Sequence, residues 1–486
     1  SLVGSEMCIR DRLKFYYSYP TNPTKAIVNP LTGGLKFLST TLFNSLVALI
    51  FFLAAGHFAS PSFVGKVAII QLFETVTVSF FSVLPFQLVT REVTYLYASS
   101  RDYSKLIHTS LTYSLLVSPF LIFLIFFPSY LWLSIPYFIL FLYTNYQSQL
   151  LTGLDKFTEV NIGNVISTLT KWGLSIVAVF YHSIKLLIII WIFGTLLKAI
   201  YYQRFLPFRL YIDRQIFKDI VKIGFPIYIS GIIGFVASQG DRVVTAFLLG
   251  SYDLGIYQLV ALAAIVPSML ISSFSSSLLP SSTYYYAKGK DIAQMSSITF
   301  RVLALLSLPI AILGYAISPL FISKLFPQYV LGIPAMQLLV LFLTATMPLQ
   351  LLSAFMVAAK KSYRSFILIG SVSAAEVVIA SLYLIPRMGI LGAAIAQAIN
   401  VVVVSALYLL FSQLQGVFKL GRREAIVLVV IGLSFLALIN WAIALITVLI
   451  SFKLLGIVSS DEIKIVEAFT PPTLRKVTRI LYLMAR

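Results

Sequence analysis

Six ionisable side chains lie within long apolar stretches of the sequence, where a charge is costly. They are Lys36, Glu74, Lys171, Asp241, Arg242 and Glu376. A charged side chain at bilayer depth costs a few kcal/mol at least, so it usually faces a water-filled cavity or a partner. Glu74, Lys171 and Glu376 fall near the middle of their stretches. We therefore expect them either to line a water-filled path or to form a buried ion pair that holds helices together.

Metal and thiol chemistry have no support in the sequence. The three histidines, His57, His108 and His182, are far apart and form no zinc-binding spacing. The single cysteine, Cys8, excludes a disulfide framework. We expect no metal site, no cofactor and no catalytic residue.

The composition indicates a membrane protein. Of 486 residues, 59% are hydrophobic and 11% are charged, against roughly 25% charged in soluble domains. The mean hydropathy is +0.94. The net charge of +19 is spread between apolar stretches, which is typical of basic loops that orient a polytopic protein rather than of a nucleic-acid partner.

A bilayer-spanning helix needs about 20 mostly apolar residues, and about fourteen stretches of the chain satisfy this. The first six are near 33–56, 63–89, 105–127, 129–151, 159–181 and 184–206. The next six are near 222–248, 254–281, 294–317, 331–357, 363–385 and 389–412. The stretch 424–458 is long enough for two short spans, with Asn440 as the break. With the N-terminus inside, about 23 Lys and Arg residues fall in inner segments and 4 in outer loops, which predicts that both termini are cytoplasmic.

Individual charges carry further expectations. The first and second halves of the chain are similar in sequence, as described below. Aligning them places Lys171 and Glu376 at near-equivalent positions, which favours opposite charges facing across a cavity. Asp241 and Arg242 are consecutive and point about 100° apart on a helix, so one should face the cavity and the other a neighbouring helix or the outer interface. We expect Lys36 and Arg301 to snorkel to the inner surface, with Lys36 also a cavity candidate.

Two segments of the chain resemble each other. FLYTNYQSQLL from Phe141 matches FLTATMPLQLL from Phe342 in register, and Val64-Gly65 corresponds to Leu254-Gly255. The fold class that we predict is an all-α polytopic membrane protein of two six-helix lobes around a central cavity, with two extra C-terminal helices. Its parts are a non-native segment at 1–12, which resembles a translated sequencing adapter, an N-lobe at 13–206, a linker at 207–221, a C-lobe at 222–412, two helices at 413–458 and an amphipathic tail at 459–486.

The region 217–263 contains the pairs and triplets Gly224-Phe225-Pro226, Asp241-Arg242, Leu249-Gly250 and Gly255-Ile256-Tyr257. With this pattern, the region resembles the polysaccharide flippase (Wzx-type) family of the multidrug/oligosaccharidyl-lipid/polysaccharide exporter superfamily. The resemblance implies a two-lobed transporter that moves a polyprenyl-phosphate- or pyrophosphate-linked glycan outward across the cytoplasmic membrane. It implies a cationic cavity with Lys171, Arg242 and Lys36, while Glu74 and Glu376 tune the lysine or couple movement to a proton or sodium gradient.

The partners implied are the lipid-linked oligosaccharide, membrane lipids and a glycan polymerase or ligase, with no nucleic acid. Three other functions stay open. A drug or cation antiporter of the same superfamily would favour an acidic cavity and usually twelve spans. A membrane enzyme of glycan assembly usually needs a large external loop, and the outer loops here are short. A bare scaffold gives no reason for buried charges in both halves.

Overall fold

The computed structural model describes the backbone of residues 30–287, 291–359 and 364–457, and their side chains except at 30–39, 41, 42, 98 and 269–287. Within these residues the chain is helical and forms no strand. The predictions for residues 1–12, for the tail and for the side chain of Lys36 lie outside the described part.

The first half contains nine α-helices, which follow the long apolar stretches of the sequence. They are α1 (Pro30–Phe58), α2 (Pro61–Phe81), α3 (Phe86–Ala98), α4 (Ser104–Leu116), α5 (Ser129–Leu133), α6 (Ile135–Gly153), α7 (Phe157–Thr168), α8 (Ser175–Phe180) and α9 (Ile184–Gln203). A 3-10 helix, Ser118–Phe126, extends α4, and a π-helical turn, Leu169–Leu174, joins α7 to α8. Proline begins α2, where its missing N–H is not needed.

The second half continues in the same manner. Its helices are α10 (Arg214–Leu248), α11 (Gly250–Ala287), α12 (Ile292–Leu325), α13 (Ile333–Ala345), α14 (Met347–Gln350), α15 (Leu352–Ala358), α16 (Arg364–Leu414), α17 (Arg422–Ser434) and α18 (Trp441–Leu454). Short 3-10 helices lie at Pro327–Gly332 and Phe435–Leu438. Helix α16 breaks at Gly389, whose φ of 58° and ψ of −135° suit glycine alone.

The helices form a multi-pass membrane protein. Eight helical stretches of the described residues are long and apolar enough to cross a membrane, and three shorter apolar helices accompany them. The break predicted at Asn440 is confirmed, because its side chain accepts the N–H groups of Ala442 and Ile443 and begins α18. The total of fourteen spans stays a prediction.

The backbones of the two halves come closest at the end of the bundle where α1 ends and α2 begins. One apolar cluster there contains Val64 of α2, Ile256 of α11 and Tyr329 beyond α12. At its centre the backbones of α2 and α11 touch. A Cβ on Gly65 would lie 1.7 Å from the carbonyl oxygen of Ser251, and one on Gly255 would lie 1.8 Å from that of Pro61. These two glycines are the equivalent pair of the predicted repeat, and only glycine allows this approach.

The segment between the halves is fastened to α4. The backbone N–H groups of Tyr211 and Asp213 donate to the hydroxyls of Thr112 and Thr109, at 3.1 and 3.0 Å. The Asp213 carboxylate accepts the N–H groups of Gln215 and Ile216. The hydrogen bond from Ile216 is the main cause that lowers the pKa of this carboxyl. Helix α10 therefore begins at Arg214, eight residues before the predicted span at 222, and this cap explains the earlier start.

Arg301 does not snorkel to the surface as expected. Its side chain, 9% exposed, forms an ion pair with Glu424 of α17. The second oxygen of Glu424 accepts the N–H of Gly421 at 3.1 Å, which caps α17. The pair joins α17 to α12, and the Glu424 carboxylate satisfies both a buried cation and a helix terminus.

Candidate functional site

A polar cluster of three side chains, here called the Lys171 cluster, lies within the first half. Glu74 comes from α2, Tyr137 from α6 and Lys171 from the π-helical turn. The Lys171 ammonium donates to the two carboxylate oxygens of Glu74 at 2.9 and 2.6 Å and to the Tyr137 hydroxyl at 2.8 Å. The Tyr137 hydroxyl in turn donates to Glu74 at 2.9 Å. All three donors of the ammonium thus have acceptors in this state.

The cluster is set in an aromatic, largely dry surrounding. The Lys171 and Glu74 side chains are only 12% and 16% exposed. The Lys171 nitrogen lies 4.4 Å from the ring centroid of Trp191, 5.0 Å from Trp172 and 5.4 Å from Tyr137. Cation–π attraction at such distances stabilises a desolvated ammonium. The ion pair and the rings together allow a charge to persist between apolar helices.

A backbone feature directs Lys171 into this cluster. Residues Leu169–Leu174 form a π-helical turn, in which the backbone hydrogen bonds span five residues instead of four. Such turns are rare overall, and those that occur lie frequently at functional sites. The indole N–H of Trp191 donates to the carbonyl of Lys171 at 2.9 Å. Gly194 lets α9 approach, since a Cβ there would lie 2.0 Å from the Thr170 hydroxyl oxygen.

Asp241 and Arg242 have different partners, as expected for consecutive residues whose side chains point about 100° apart on a helix. Asp241, 4% exposed, accepts a hydrogen bond from the Tyr257 hydroxyl of α11. Arg242 donates to Gln239 of its own helix at 2.8 Å. Its Nε is buried without a hydrogen-bond partner among the described residues. Asp241 therefore binds a neighbouring helix, and Arg242 keeps donor capacity.

Glu376 belongs to a separate polar group in the second half. One carboxylate oxygen accepts from the Asn400 side chain at 2.8 Å, and Asn400 also donates to the backbone and hydroxyl oxygens of Ser373. The other carboxylate oxygen is buried and has no hydrogen-bond partner in the described part of the chain. Lys171 and Glu376 thus each have a partner within their own half, and their facing across one cavity stays a prediction.

Lys198 is a cation that sequence reasoning placed in an inner loop. It lies within α9, two turns from Trp191, and its nitrogen is 5.5 Å from the Tyr202 ring centroid. It interacts electrostatically with both Lys171 and Glu74. None of the ion pairs among the described residues includes Lys198. Its helical spacing from Trp191 was the signal that could have assigned it to the same face.

Tyr137 and Trp191 were also missed, because aromatic residues are common in membrane helices and carry no mark of a polar partner. No group of three metal-ligating side chains occurs in the parts of the chain that are described.

Comparison with known proteins gives the chain a family context. Residues 131–330 match the polysaccharide biosynthesis protein family. No curated protein matches the chain. A solved structure of lipid II flippase MurJ, in an inward closed conformation, is similar with a TM-score of 0.66 at 14% identity, over 85% of this chain and 97% of that one.

Two solved structures described as a multidrug resistance MATE family transporter of the MOP superfamily are also similar. The inward-facing conformation has a TM-score of 0.59 at 13% identity, over 77% of this chain and 94% of that one. The outward-facing conformation has a TM-score of 0.54 at 14% identity, over 80% and 96%. At these identities the likeness shows the fold. The chain thus has the helical fold that these transporters share.

Proposed function

We propose that the protein is a flippase, because residues 131–330 match the polysaccharide biosynthesis protein family and the chain has the fold of MurJ and the MATE transporters. It moves a polyprenyl-phosphate- or pyrophosphate-linked oligosaccharide from the inner to the outer leaflet by alternating access. The observation that carries this proposal is the Lys171 cluster, a charged group kept between apolar helices. A phosphate crossing hydrocarbon needs cations along its path, and Lys171 of this cluster is one of them.

Four cations, Lys36, Lys171, Lys198 and Arg242, contribute to the proposed path of the phosphate head group. The Lys171 ammonium has its three donors occupied, so a phosphate reaches it by replacing Glu74 or Tyr137 as acceptor. Arg242 keeps donor capacity at Nε, and Lys198 adds positive charge beside the cluster. Two lysines against one glutamate leave this part of the first half with a net positive charge, which favours an anionic head group. We place Lys36 at the inner mouth of the path.

The membrane placement follows from the same proposal. We infer a cytoplasmic membrane, cytoplasmic termini, an N-lobe at 13–206 and a C-lobe at 222–412 that rock about the linker. The contact of Gly65 with Gly255 then closes the outer side. A glycan polymerase or ligase would receive the product.

The experiment that tests the function uses purified protein in liposomes with a polyprenyl-pyrophosphate-linked oligosaccharide. We expect the protein to expose the glycan to an external lectin at a rate well above that of protein-free liposomes. A rate equal to that of empty liposomes, together with export of cationic drugs, would replace the flippase by the antiporter.

Glu376 is our proposed coupling residue. Its unpartnered buried oxygen offers a position for a proton or a sodium ion. We expect Glu376→Gln to reduce the stimulation of flipping by an imposed proton or sodium gradient by about tenfold, since a buried amide neither titrates nor carries charge. Asp219→Asn, at an exposed carboxylate of α10, is the control. Full gradient stimulation in Glu376→Gln contradicts the assignment.

A further inference from the structure

We propose that Trp191 is the positioning residue of the Lys171 cluster, holding Lys171 by its backbone and by its ammonium at once. The inference rests on the proposed function, since it assigns a role within the same site. Trp191 is itself fully buried.

The backbone contact fixes the turn. The Trp191 indole N–H donates to the Lys171 carbonyl at 2.9 Å and to the Ser175 hydroxyl at 3.1 Å. These acceptors lie within and directly after the π-helical turn. A buried carbonyl needs a donor, and the indole supplies one from a different helix. The wide turn is therefore tied to α9 rather than maintained by its own bonds alone.

The ring contact fixes the side chain. The Trp191 ring lies 4.4 Å from the Lys171 ammonium, nearer than the other three rings around it. The same ring packs against Tyr137 at 5.3 Å and Trp172 at 5.4 Å. The Tyr137 hydroxyl accepts a hydrogen bond from the Lys171 ammonium. The Trp191 ring therefore supports both the lysine and one of its acceptors.

The close approach of α9 makes this contact specific. Gly194 lies one turn after Trp191 and faces Thr170, the residue before Lys171. A regular α-helix at 169–174 would rotate the Lys171 side chain about the helix axis relative to α9. The reason is that one turn of π-helix contains one residue more than one turn of α-helix. Loss of the indole donor should let the turn relax and move the ammonium away from Glu74.

The test replaces the Trp191 indole with benzothiophene, which keeps the shape and the ring but lacks the N–H. We expect the KM for the lipid-linked oligosaccharide to rise by about tenfold, the effect of one lost hydrogen bond to a buried acceptor. We also expect the folded-to-unfolded ratio in detergent to fall by a similar factor. The same replacement at Trp132, an exposed residue whose indole N–H donates to the carbonyl of Phe127 at 2.8 Å, is the matched control and should change KM little.

A second measurement separates positioning from general packing. In a protein that already carries Lys171→Met and Glu74→Gln, the benzothiophene replacement should lower the folded-to-unfolded ratio by a clearly smaller factor. The hydrogen bond to the backbone carbonyl is lost in both backgrounds, whereas displacement of the ammonium from Glu74 costs stability only where both charges are present. An equal loss in both backgrounds, or an unchanged KM, overturns the proposal. If the wild-type protein does not flip the substrate, the proposed function fails, whereas the stability comparison still decides the role of Trp191.

Discussion

Replacing Lys171 by methionine is expected to abolish flipping and to destabilise the protein. The change removes the cation that we assign to the head group and leaves the Glu74 carboxylate without the ion pair of 2.6 Å. An uncompensated charge in a largely dry site costs about 3 kcal/mol in the free energy of unfolding. Flipping in liposomes and unfolding in detergent measure the two effects separately.

The double variant Lys171→Met with Glu74→Gln distinguishes a transport residue from a structural ion pair. Removing both charges should recover most of the lost stability, because a paired charge replaced by neutral groups is often tolerated. Flipping should stay at least about a hundredfold below wild type, as expected for loss of a charge contact in a dry site. If the double variant flips at the wild-type rate, the pair only holds helices together.

A cross-link between α2 and α11 is expected to stop transport reversibly. The hydroxyl oxygens of Ser62 and Ser251 lie 3.3 Å apart beside the Gly65–Gly255 contact. After replacement of the single Cys8 by serine, Ser62→Cys with Ser251→Cys should form a disulfide on oxidation. Because alternating access must separate the two helices, the oxidised protein should flip at under about a tenth of the reduced rate. Dithiothreitol should restore flipping.

Each single cysteine variant serves as the control for oxidation damage, and neither should respond to dithiothreitol. Full flipping by protein that gel mobility shows to be cross-linked would mean that α2 and α11 stay together through the cycle. The two halves would then not rock apart at this end.

The apolar pattern predicted the elements well, because span length and chain breaks depend on local chemistry. Asn440 shows this, since a side chain that caps a helix is visible in the sequence. Glu74 and Lys171 were also recognised as central charges, yet their pairing was left as one option. The two residues are separated by 97 residues along the chain. Their pairing can be recognised only when the rotation of both helices about their axes is known.

Three features could not be read from the sequence for physical reasons. The π-helical turn depends on a donor from α9, and no local pattern marks it. Arg301 seemed close enough to the surface to snorkel, but its partner Glu424 comes from a helix 123 residues later. Lys198 stood near the end of its span, where a lysine normally belongs to the loop.

The pairing of Lys171 with Glu74 has an electrical consequence. The pair carries no net charge, so its movement with the N-lobe does no work against the voltage across the bilayer. A translocated phosphate does carry charge, and each elementary charge crossing 100 mV is worth about 2.3 kcal/mol. In a cell whose interior is negative, outward passage of an anionic head group is downhill. The voltage itself would therefore favour export, and movement of the ion pair would neither add to this driving force nor oppose it.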